Sequence, residues 1–144
     1  PLSPSQKKLL GFMILNPVSF IKLKEAGLRT VLAGGMGEIL FLQLEELLKR
    51  NDTAEPEELL SVLPDGAERM LVSEILLSAN NGDIEENRME EQACLQFLNL
   101  SSLKQESQII QEKIISAQSS GDFEQLQSFL AKKQEIEKKI RTLR

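Results

Sequence analysis

Apolar residues recur along the chain at helical spacing, and the pattern is longest and most regular in its last third. Leu103, Ser107, Ile110, Ile114 and Ala117 follow one another at steps of four, three, four and three. At about 100° per residue they line one side of a helix, as a seam for a second helix. Ser119-Ser120-Gly121-Asp122 is turn chemistry. Beyond it, Phe123, Leu126 and Leu130 begin an apolar stripe that Phe129, Ile136, Ile140 and Leu143 widen to roughly 160° of the helix circumference. The pattern predicts two long helices folded back on each other. A hairpin seam needs less apolar surface than that, and Ile109 and Ile115 also point away from the first arm's seam. The surplus is expected either to stand exposed as a docking surface or to be covered by the front of the chain.

That front reads as short helices between strong breakers. Ser3 caps a helix whose first turn holds Pro4, and Gln6 sits where a capping box wants an amide; the helix runs to Leu15 and stops at Asn16-Pro17. Pro17 opens a second helix that ends at Gly27, and Leu28 to Leu32 is a short apolar piece broken by Gly34-Gly35. In the next helix, Gly37 to Arg50, Ile39, Leu40, Leu42, Leu44, Leu47 and Leu48 cover much of the circumference, which predicts a place at a bundle centre. A short helix from Glu57 to Val62 follows, then one from Ala67 to Ala79 with Met70, Leu71, Ile75 and Leu76 on its apolar side. Asn80-Asn81-Gly82-Asp83 ends it. From Ile84 the helical pattern continues to about Gln118, its early apolar residues (Met89, Ala93, Leu95, Phe97, Leu98) closing the front bundle. No stretch alternates as a strand does, Thr30 to Ala33 being too short to build a sheet. The fold class is all-α: a small bundle, residues 1–103, then a long helix and a C-terminal hairpin, residues 104–144.

Charge is uneven. Residues 1–122 carry 11 Lys/Arg against 19 Asp/Glu, whereas residues 123–144 carry 6 against 3. An acidic body repels phosphate, so direct nucleic-acid binding is disfavoured, while the basic second arm can steer toward an acidic protein surface. Without Trp or Tyr there is little for stacking on bases. The single Cys94 allows no intramolecular disulfide and fits a reducing, cytoplasmic setting; no signal peptide or membrane span is read. A start at Pro1 reads as a piece of something longer.

Catalytic chemistry is hard to place. With no His and no Tyr the usual proton carriers near neutral pH are missing, and Cys/His zinc sites are excluded by count. Adjacent carboxylates such as Glu90-Glu91 diverge by about 100° on a helix and read as solvated faces. Gly34-Gly35-Met36-Gly37 lacks the Lys-Ser/Thr of a P-loop and reads as a turn. No catalytic residue, cofactor, metal or small-molecule substrate is expected.

Ser5-Gln6-Lys7-Lys8-Leu9-Leu10-Gly11-Phe12-Met13-Ile14-Leu15-Asn16-Pro17 resembles the opening of the C-terminal helicase-binding domain of bacterial DNA primase. The end is similar too, with a long helix, Ser120-Gly121-Asp122 and the apolar spacing after it. The resemblance covers the whole chain and lies in the order of bundle, long helix and terminal hairpin. It implies a non-catalytic domain, in the cytoplasm, that docks on the N-terminal domains of the replicative hexameric DNA helicase, recruits primase to the fork and modulates helicase activity. The family's zinc module and polymerase core have no counterpart here. In the hairpin, Ile109, Ile115, Phe129, Ile136, Ile140 and Leu143 are the candidate partner-binding residues, with Lys133 and Lys139 at the rim acting mainly on association rate. The chain is expected to be mostly monomeric, with weak self-association at most. The N-terminal domain of the helicase itself, whose hairpin serves self-association, is an alternative of the same class, and a basic nucleic-acid-binding hairpin is one of another class.

Overall fold

A computed structural model describes residues 2–79 and 82–144. The structure is 83% helical, with eight α-helices and no strand among the described residues, so the chain is all-α. It divides into two compact units, Pro1–Leu95 and Gln96–Arg144. The division lies inside the longest helix, at 95/96 where the sequence reading put it at 103/104.

The first unit begins with α1, Pro4–Leu15, and its start is fixed by side chains. The Gln6 amide donates to Ser3 Oγ at 3.1 Å while the Ser3 amide donates to Gln6 Oε1 at 2.9 Å, so two otherwise orphaned N–H groups are satisfied reciprocally. Gln6 Nε2 also donates to the carbonyl of Val31 at 2.9 Å, tying this cap to a later helix. At Asn16 the backbone leaves the helical region (φ −130°, ψ 67°), as the following proline requires. A 3₁₀ turn, Pro17–Ser19, leads into α2, Phe20–Glu25; Gly27, at φ 101°, then turns the chain into α3, Leu28–Leu32. The helices α4, Met36–Arg50, α5, Pro56–Val62, and α6, Ala67–Leu77, complete the set of short helices. The expected stop at Asn80-Asn81 lies outside the described residues.

The helix α4 lies at the centre of this unit, as its sequence leads one to expect, packing on α1, α3, α5 and α6, and α1 shares that place. Leu9, Leu10, Phe12, Met13 and Ile14 are all buried and span about 200° of α1, which packs on α3, α4 and α6. On α4 the buried residues Gly37, Leu40, Phe41, Leu44 and Leu47 span only about 120°, and Ile39 and Leu42, expected inside, stand exposed. At Gly37 an added Cβ would lie 2.9 Å from Leu32 Cδ2, so α3 and α4 approach there as closely as a glycine allows. On α6 the fully buried residue is Val72; Met70 lies about 160° round the helix from it and faces out. The first turns of α7, Ile84–Ser120, differ likewise from expectation: Met89 and Ala93 are exposed, and Cys94 is the buried residue of that stretch.

In the second unit α7 continues through Ser101-Ser102 to Ser120, and α8, Phe123–Leu143, returns along it. The reversal is a Schellman turn. Gly121 adopts φ 74°, its N–H donates to the carbonyl of Gln118, and the N–H of Asp122 donates to that of Ala117. Asp122 then caps α8, accepting from the Gln125 amide at 3.1 Å.

Candidate functional site

The hairpin's own packing decides which of its apolar residues remain free. Ile110 and Ile114 on α7 and Ile136 on α8 form its buried cluster, with Leu103, Leu126, Phe129 and Ile140 packed against it. The less exposed side of α8 is the series Leu126, Phe129, Lys133, Ile136, Ile140 and Leu143, at steps of three, four, three, four and three. It is a regular heptad facing the seam of α7. Of the eight residues picked out from sequence as partner-binding, Phe129, Ile136 and Ile140 therefore serve the hairpin itself in this structure, and Leu143 continues their series half-buried. Lys133 also sits on the seam, half-buried, where its ammonium donates to Gln111 Oε1 and lies 4.0 Å from Glu137. Ile109, Ile115 and Lys139 stand exposed.

Two residues assigned from sequence to the start of the seam are in fact outside it: Phe123 is 74% exposed and Leu130 44%. The signal that separates them was present. A seam through Phe123, Leu126 and Leu130 runs next into Lys133, Gln134 and Glu137, whereas the series through Phe129 meets one lysine and then stays apolar to Leu143.

Contacts across the seam define two faces of the hairpin. Lys133 reaches Gln111 on one face, and the Lys113 ammonium lies 5.8 Å from the Phe129 ring centre on the other, a cation–π distance. By the angular count, Ile115, Leu130 and Phe123 stand about 90° to 120° from the seam on the Gln111 side, and Ile109 about 120° from it on the Lys113 side. Ile115 (54% exposed) thus shares a face with Leu130 and Phe123 near the turn, while Ile109 (46% exposed) does not. At the other end of the hairpin, Gln96 Nε2 donates to the carbonyl of Leu143 at 2.7 Å and holds the last turn of α8. A groove of about 530 Å³ lies there, lined by residues of both arms from Ser102 and Leu103 to Thr142 and Leu143.

In the first unit the polar groups are engaged with one another. Glu38 accepts from the Gly34 amide at 3.1 Å and from Arg29 Nε at 3.2 Å, and these contacts hold its carboxyl below the usual carboxylate range. An amide of the glycine turn that could have met a phosphate is thereby closed by a carboxylate. Glu91 accepts from the buried Ser19 hydroxyl and from Lys22 Nζ at 3.2 Å, which lowers its pKa in that order of importance. Glu45 is lowered first by its bond from Lys24. Burial, and then the nearby Glu90, push the Cys94 thiol up to about 11, so it stays protonated and a poor nucleophile at neutral pH. Among the described residues no three His, Cys, Asp or Glu converge as metal ligands, and no helix is long and apolar enough to cross a membrane.

No protein-family model, no curated protein and no solved structure matches the chain.

Proposed function

We propose that the chain is a non-catalytic protein-interaction domain whose hairpin docks on a partner, and that the partner is the N-terminal region of a replicative hexameric helicase. The choice of partner rests on the resemblance of the chain's two ends to the primase helicase-binding domain. The observation that carries the docking role is the face near the turn: Ile115, Phe123 and Leu130 are large, apolar, exposed, and not needed by the seam. Burying each against a partner contributes roughly 1.5–3 kcal/mol before association costs, enough for three residues to dominate a modest affinity. In such a complex primase would be held where the duplex opens.

The test is calorimetric titration of a replicative helicase with the parent chain, with Leu130→Asp and with Phe123→Ser, each variant also melted. The parent is expected to bind, and Leu130→Asp to bind at least about tenfold more weakly with little change in melting, because the charge is buried only in the complex. Failure of the parent to bind removes the helicase from the proposal. Parent-like binding by Leu130→Asp removes this face.

A further inference from the structure

The groove at the open end of the hairpin has a composition that selects its occupant. It joins Ser102 and Leu103 of α7 to Lys138, Lys139, Thr142 and Leu143 of α8, and no carboxylate lines it. Lys138 and Lys139 are exposed, and among the described residues neither stands within 4.0 Å of an acidic group, although Glu135 and Glu137 lie close in sequence. The slot is preformed, because the Gln96 side chain fixes the last turn of α8 through the Leu143 carbonyl. Leu103 and Leu143 are only partly covered by the hairpin and leave apolar surface facing the groove.

We infer that this groove is a second docking site, distinct from the face near the turn, and that it takes an acidic amphipathic helix of a partner protein. Two arms already packed as a seam offer a third helix a ready groove, where a leucine-like side chain would enter between Leu103 and Leu143. Carboxylates one turn to either side would then meet Lys138 and Lys139. Nucleic acid satisfies the two lysines but leaves the apolar lining without a complement, so charge and lining together favour a peptide. The inference rests on the reading of the hairpin as a docking element, and not on the identity of the partner.

The experiment uses the whole 144-residue chain, labelled for amide NMR, and a short helical peptide with leucines at heptad spacing and glutamates elsewhere. Shifts are expected at Ser102, Leu103, Lys138, Lys139 and Leu143. Replacing the peptide's glutamates by glutamine should weaken binding about fivefold or more, as should the double variant Lys138→Glu/Lys139→Glu, whose surface positions leave melting unchanged. Four results would overturn the inference: no binding, equal binding of the glutamine peptide, shifts confined to other residues, or equally tight binding of oligo-dT. The same shifts produced in labelled chain by unlabelled chain alone, without peptide, would show that a second copy is the true occupant and would overturn it as well. Peptide binding without helicase binding would leave this inference standing and remove the helicase from the proposed function. Helicase binding without peptide binding would do the reverse.

Discussion

The two units stabilise themselves in different ways. Among the described residues, eighteen apolar residues are buried in Pro1–Leu95, seventeen of them before α7 begins, whereas five are buried in Gln96–Arg144. Short helices that meet at several angles surround one another, and so each can bury a wide arc. Two antiparallel helices share a single seam, and whatever lies more than about 90° from it gains no cover from the other arm. A hairpin is thus a poor place to hide apolar surface and a good place to display it, which is the physical reason for placing the candidate sites there.

The difference can be broken first at a core aromatic. Phe41 is fully buried with its ring centre 4.9 Å from that of Phe20, so Phe41→Ala is expected to destabilise the first unit by about 3–5 kcal/mol, read as a lowered denaturant midpoint. In the hairpin the corresponding change, Ile136→Ala, should cost only about 2 kcal/mol, because a two-helix seam closes partly over the gap. Hydrogen exchange should register it as faster exchange of α8 amides, with α1 unaffected. An equal loss for the two substitutions would show that the hairpin is no thinner than the bundle.

The seam lysine sharpens the contrast. Lys133 occupies a heptad position among apolar neighbours, with its side chain 29% exposed and its charge shared with Gln111 and Glu137. Lys133→Leu is expected to stabilise the hairpin by about 1 kcal/mol and to loosen its register, since an apolar side chain there no longer demands Gln111 opposite. A thermal melt gives the first effect, and amide NMR, as doubled α8 resonances, the second.

Acid should weaken mainly the first unit. Glu38, Glu45 and Glu91 all lie in it and all have lowered pKa values. For a carboxylate lowered on folding, the stabilisation is complete above the unfolded value, here 4.5, and is lost as pH falls from there through the folded value. Melting of the unit should be flat above that pH as far as these groups are concerned, and should decline below it. Glu91→Gln should flatten part of the decline. The smallest effect is expected on the exposed face: Leu130→Ser should change stability by no more than about 0.5 kcal/mol while removing partner binding, a separation impossible for a core residue.

Much of this arrangement is written locally. Ser3 and Gln6 close a capping box whatever else the chain does, Asn16-Pro17 ends α1, and Gly121 supplies the positive φ that the hairpin turn requires. The alternation of three and four along Leu103 to Ala117 sets which side of α7 can receive another helix. Those features are decided within a turn or two of chain, and the sequence alone determines them. What periodicity cannot decide is which of two overlapping apolar stripes a neighbour will take. On α8 the choice fell to Phe129, Ile136 and Ile140 because they match α7 over its length, which turned Phe123 and Leu130 outward. On α6 the packing took Val72 and left Met70 in water, and on the Leu-rich α4 it took Leu40, Phe41, Leu44 and Leu47 and left Ile39 and Leu42 exposed. Each of these outcomes depends on the shape of a surface built from residues far away in sequence. Only the packed structure, where every helix competes for the same buried volume, could settle them.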